Sequence, residues 1–231
     1  VLCLQCENFA LGDKVAYSSC VPNALGNHGK GDHAMAEGSN QLALERLRGL
    51  LAYCRSKSEA FQAMNASEDE VIAAYQPVFS PEHVKELKAE EVKGFLLFEN
   101  NKHWTGLHRQ GGNICSNMRA LRKALAVLLD ESVDLASRLN TAVDSVRGMG
   151  KGIVTAILFV ANPGKYGVWN NKSETVMNEL GIWPSFGRGT SFGEKYVQVN
   201  EVLLQLAEDL EIDLWTLDSL WHFFLFPPEG Y

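Results

Sequence analysis

The chain has 231 residues, 46% of them hydrophobic and 21% charged, with a formal net charge of −7. This balance is that of a folded globular protein and excludes disordered and fibrous classes. The longest strongly apolar run, Ile153–Ala161, is too short to cross a bilayer, so no membrane partner is expected. An acidic chain is also a poor global match for phosphate, but the charge is partitioned. Residues 93–123 hold six basic side chains and one acidic, and residues 147–195 hold six basic and three acidic, so the acidity lies elsewhere. A one-sided binding face requires such a partition.

In chain order, the opening residues Val1-Leu2-Cys3-Leu4 lack a basic segment leading into an apolar core. No secretory signal is therefore expected, and the protein is placed in the cytoplasm. Cys3, Cys6, Cys20, Cys54 and Cys115 are odd in number and scattered, which fits reduced thiols rather than a disulfide framework. Cys3-x-x-Cys6 has the spacing of half a zinc site, with Cys20, His28 and His33 within reach in sequence. A second such pair is missing, so ordinary thiols are the competing reading and no metal ligand is assigned. Residues 1–40 read as a loop-rich extension, with one short element near Lys14–Ser18.

A helix is predicted over 41–54 from Leu42, Leu44, Leu47, Leu50 and Leu51. Ser67-Glu68-Asp69-Glu70 caps a further helix, and Ser80-Pro81-Glu82 opens another, with Val84, Leu87 and Val92 facing inward. Phe95–Phe98 is a compact apolar block. Asn117 caps a helix to Leu128, Asp130-Glu131-Ser132 leads into a helix ending at Val146, and a helical run over 153–160 stops at Asn162-Pro163-Gly164. Two helices fit 196–210 and 213–224. There is no internal repeat and no strand alternation, so the class is mostly α.

The most informative segment is Val146-Arg147-Gly148-Met149-Gly150-Lys151-Gly152-Ile153. Glycines at alternate positions between two helices let backbone approach a surface closely. The unpaired N–H groups and positive dipole end of the second helix attract phosphate, and Arg147 and Lys151 add charge. Such a clamp holds a nucleic-acid backbone without reading sequence. The other reading is a plain helical corner.

With its continuation Thr155-Ala156-Ile157-Leu158, this segment resembles the hairpin of the helix-hairpin-helix DNA glycosylase superfamily, the group of endonuclease III, adenine glycosylase and 8-oxoguanine glycosylase. The resemblance spans residues 95–181. It implies a two-lobed helical fold, with one lobe of 41–92 joined by the C-terminal helices of 193–231 and a second lobe of 93–192 carrying the hairpin. It also implies base flipping on double-stranded DNA that carries a modified base. Asn170, in Val168-Trp169-Asn170-Asn171, falls where the family keeps its catalytic Asp, and Gly152 falls where bifunctional members keep a lyase Lys. The resemblance thus implies a monofunctional enzyme that leaves an abasic site. Asn cannot act as a general base but orients a water through its amide, with Glu99 or Asp218 as the assisting carboxylate.

Further, Glu99-Asn100-Asn101-Lys102-His103-Trp104 lies where these enzymes keep a DNA-wedging loop. Asn100, Asn101 and Lys102 are expected on DNA beside Arg147, Gly148, Gly150, Lys151 and Gly152, with His103, Trp104 and Trp169 around the base. No cysteine follows Cys115, so no iron–sulfur cluster and no other cofactor is expected. Glucosylated hydroxymethylcytosine of phage DNA is one substrate of this class, which would make the protein a defence rather than a repair enzyme. Three alternatives stay open: a non-catalytic DNA-binding or specificity module of a restriction or repair system, a helical interaction module and, most distantly, a zinc-dependent hydrolase.

Overall fold

A computed structural model describes the backbone of residues 31–231 and the side chains from residue 40 onward. The Cys3, Cys6, Cys20 and His28 thiols and imidazole, the side chain of His33 and the Lys14–Ser18 element lie outside this range. The described residues form helices and turns, with no strand, and none of the helices is long and apolar enough to cross a membrane. The helices are α1 (Gly31–Lys57), α2 (Glu59–Ala66), α3 (Glu68–Tyr75), α4 (Ala89–Leu96), α5 (Phe98–Asn101), α6 (Gly111–Ile114), α7 (Met118–Leu128), α8 (Leu135–Ser145), α9 (Lys151–Ala161), α10 (Asn171–Glu179), α11 (Phe192–Leu210) and α12 (Leu214–Leu225).

Most boundaries follow from caps written in the sequence. Asn117 accepts from the Ala120 N–H, Asp134 from Ser137 and Asp213 from Thr216, each satisfying an orphan donor of a first turn. Ser191 and Glu194 form a capping box at α11. Two expectations are corrected. Ser80-Pro81-Glu82 opens only a three-residue 3-10 turn, His83–Lys85, and α4 starts separately at Ala89 with the Glu91 carboxylate on the Lys88 N–H. The loop-rich extension ends earlier than expected, because α1 already begins at Gly31.

The buried apolar side chains form one continuous cluster. Its axis is α9, whose residues Ile153 to Val160 are all buried, so this helix has no polar face to give to solvent. α11 packs on both α8 and α1, and α12 is held among α1, α2, α10 and α11. α12 is as enclosed as α9: Leu214 to Trp221 are buried without interruption, including Asp218 and Ser219.

A charge conflict sits where α3 meets α12. Burial and the neighbouring carboxylates of Asp213 and Asp69 push the Glu68 carboxyl from 4.5 up to about 7. The native state therefore holds a proton that the unfolded chain has released, and stability falls as pH rises from 4.5 through 7. Half-exposure lets water screen part of this, leaving on the order of 1 kcal/mol. Glu68→Gln is expected to raise Tm at pH 8 by about 2–4 °C and to change little at pH 4, as differential scanning calorimetry would show.

Candidate active site

The glycine-rich turn is built as a tight corner between α8 and α9. Met149 N donates to Val146 O, Gly150 N to Gly148 O, and Ile153 N and Val154 N both to Gly150 O. Gly148 has φ +89°, and a Cβ there would come within 2.9 Å of Gln110 Oε1 and 3.1 Å of Asn113 Cβ, so the corner is seated on α6. Gly150 has ordinary backbone angles and nothing within 4 Å of a Cβ. It caps α9 without a side chain, so no side-chain oxygen satisfies the first-turn N–H groups, and of these Ile153 N turns back to Gly150 O.

One end of this corner borders a cleft of about 690 Å3, within the range of pockets that hold small molecules. Its walls come from the segment 103–107, the hairpin 146–153, the start of α10 and two residues of α12, Asp218 and His222. Asn170 reaches it because the preceding loop is pinned. Thr155 Oγ1 accepts from Trp169 N, Tyr196 donates to Gly167 O, and Asn200 Oδ1 accepts from Gly167 N.

At the cleft floor, Asn170 joins two helices. Its Oδ1 accepts from Lys172 N and Ser173 N and so caps α10, which fixes the amide orientation. Its Nδ2 donates to Asp218 Oδ1 at 3.0 Å. Asp218 Oδ2 accepts from Trp104 Nε1 and faces His103 Nε2, both at 2.9 Å. The carboxylate, 6% exposed, therefore has three donors for about four lone-pair sites. The open site is on Oδ1, beside the second hydrogen of the Asn170 amide.

One turn further along α12, His222 Nδ1 lies 3.1 Å from Lys172 Nζ. Burial and the charges of Lys172 and His103 push the His222 imidazole down to about 4, so it is neutral at physiological pH. Burial also lowers Lys172, against the opposing pull of Asp218. Neither residue was singled out in the sequence, although His222 lies four residues after Asp218 and Lys172 two after Asn170.

Of the residues expected at the site, Asn170, Asp218, His103, Trp104, Arg147, Gly148, Gly150, Lys151 and Gly152 line this one cleft. Residues 99–102 of the wedging segment do not. Glu99 is exposed on α5, outside the cleft walls. Asn100 is exposed and donates to Gly94 O, and Lys102 ends α5 with its ammonium 3.9 Å from Glu70. Asn101 is fully buried and spent on backbone: it donates to Phe95 O, Leu97 O and Trp104 O and accepts from His103 N and Trp104 N. Trp169 faces away, stacked on Phe192 and donating to Glu174. His103 and Trp104 are donors to a carboxylate rather than free stacking platforms, since Trp104 is packed among Phe95, Phe159 and Trp215. Lys151 is tied to the Glu174 carboxylate, leaving Arg147 as the exposed cation of the corner.

Comparison with protein-family models, with curated proteins and with solved structures gives no match.

Proposed function

We propose that the protein is a DNA N-glycosylase that takes a modified base out of the duplex and hydrolyses its bond to the sugar, leaving an abasic site. A two-lobed arrangement of the helix-hairpin-helix kind, with a cleft at the hairpin's mouth, is part of this reading. The observation that carries it is the pairing of Asn170 with Asp218 on the floor of a cleft whose rim is the glycine-rich corner. The corner's N–H groups and Arg147 hold the sugar–phosphate strand, which brings the flipped nucleotide over the floor.

The amide of Asn170 donates to a water, and the open site on Asp218 Oδ1 accepts from it. As the C1′–N bond breaks, positive charge develops on the sugar, and the desolvated carboxylate stabilises it. The water oxygen bonds to C1′ and its proton passes to Asp218. The cleft is roomy enough for a base bearing a bulky substituent, and glucosylated hydroxymethylcytosine is the substrate put forward for trial.

The test incubates the protein with duplexes carrying cytosine, hydroxymethylcytosine or its glucosylated form and scores free base and abasic sites. Release from a modified duplex is expected, lost in Asn170→Ala while duplex binding survives. Binding without release from any duplex would favour the specificity module, and indifference to DNA at low salt the interaction module.

A further inference from the structure

The chain between α10 and α11 is a surface loop, residues 181–190, that takes no part in the cleft. A row of rings ties it to the hairpin. Lys151, in the first turn of α9, lies 5.5 Å from the centre of the Trp169 ring. Trp169 meets Trp183 at 5.7 Å, and Trp183 meets Phe186 edge-on at 5.8 Å. The row rises to the surface, for Trp169 is buried whereas Trp183 and Phe186 are half-exposed. A tight turn follows. Thr190 N and Oγ1 both donate to Gly187 O, and Gly189 takes φ +82°, which leaves Arg188 exposed at the apex. Lys195, in the first turn of α11, holds its Nζ 5.6 Å from the centre of the Phe186 ring.

The charge of this loop has one sign. No acidic residue occurs from Leu180 to Phe192, in a chain of net charge −7. The flanking carboxylates are already engaged: Glu174 by Lys151 and Trp169 Nε1, Glu179 by Arg46, and Glu194 by the Ser191 N–H and hydroxyl. Half-exposed rings interleaved with cations suit a nucleic-acid strand, which offers base planes and phosphates together, whereas a protein-docking patch has charge depleted at its centre. A paired duplex presents phosphates to such a face but keeps its base planes inside the stack, so the rings serve only nucleotides outside it.

We infer that this loop is a second nucleic-acid contact, which takes unpaired nucleotides beside the strand held by the hairpin: bases stack on Trp183 and Phe186, and phosphates pair with Arg188 and Lys195. The preferred DNA is then a duplex that opens into a single strand at this end, rather than an uninterrupted one. The inference goes beyond the glycosylase reading and rests only on its DNA-binding part, since no step of base release passes through the loop.

The test measures affinity by fluorescence anisotropy for a blunt duplex, for the same duplex with an oligothymidine tail on either strand, and for the oligothymidine alone. A tail should strengthen binding roughly 5- to 100-fold, the worth of one stacked base. Phe186→Ala and Trp183→Ala should remove that gain and leave the blunt duplex unchanged. Trp183 also supports Trp169, so melting curves check that both variants fold, and Arg188→Ala adds a variant at an open apex. It should reduce the gain and lower the salt slope for tailed DNA by about 1. Equal binding of tailed and blunt duplexes overturns the inference and leaves the glycosylase reading standing. A gain that survives in both Phe186→Ala and Arg188→Ala places the single strand elsewhere and overturns it too. Oligothymidine bound through Phe186, with no affinity for the blunt duplex, supports the loop's role and sinks the hairpin's. Binding of no probe at low salt overturns both.

Discussion

Asp218→Asn is expected to slow base release by about 10²- to 10⁴-fold in single-turnover assays while duplex affinity changes little. The substitution is nearly isosteric, so its effect lies in charge and hydrogen-bond polarity. The carboxylate receives Trp104 Nε1, His103 Nε2 and Asn170 Nδ2, three donors that an amide cannot all accept. Asn170 cannot turn to accommodate it, because its own oxygen caps α10 through Lys172 N and Ser173 N. One buried donor is then left facing another, at a cost of about 1–3 kcal/mol in stability. On the proposed glycosylase reading chemistry loses more, since the negative charge assigned to stabilising the sugar cation and taking the water's proton is gone. A purely structural Asp218 gives a different outcome: a lower Tm with the release rate of the folded protein intact. That result would remove the carboxylate from the mechanism.

The elements of this fold were legible wherever a cap and an apolar spacing agreed. Asn117 with Leu121, Leu125 and Leu128 is one such case, and Asp213 ahead of the aromatic run of α12 is another. Residues 31–40 concealed a helix because glycine and polar residues carry no periodicity. The site was half legible. Asn170 and Asp218 could each be picked out, one by its place after the hairpin and the other as a carboxylate in an apolar stripe. Their contact spans 48 residues and depends on α10 meeting α12, which no local pattern encodes. The segment 99–102 misled because Asn101 looks like a DNA-facing amide, whereas all its bonding capacity is used to close the turn after α5. Lys172 and His222 left a readable trace, a lysine two residues and a histidine four residues beyond a chosen one, but only the helix packing shows that they face each other.

The second large effect is expected far from the cleft, at Gly193. A Cβ on this residue would lie 2.0 Å from the carbonyl oxygen of Ala136 and 2.6 Å from its Cα. The obstacle is backbone in the first turn of α8, which cannot swing aside as a side chain does. The crossing is also clamped, because Asn140 Oδ1 accepts from Gly193 N at 2.8 Å and Asn140 Nδ2 donates to Ser191 Oγ at 3.1 Å. Gly193→Ala must therefore push α11 off α8 and break these bonds, at about 3 kcal/mol or more. For a chain of this size the fall in Tm is about 6–12 °C. Because the clash is with backbone, Ala136→Gly should not rescue it, whereas removal of a side-chain obstacle would. α8 carries the hairpin at its other end, so the variant should lose stability before it loses the cleft: the fraction that remains folded should still bind duplex DNA. Recovery of Tm in the double variant would show that the two helices meet through side chains instead. Full stability of Gly193→Ala would mean that α11 does not approach α8 this closely.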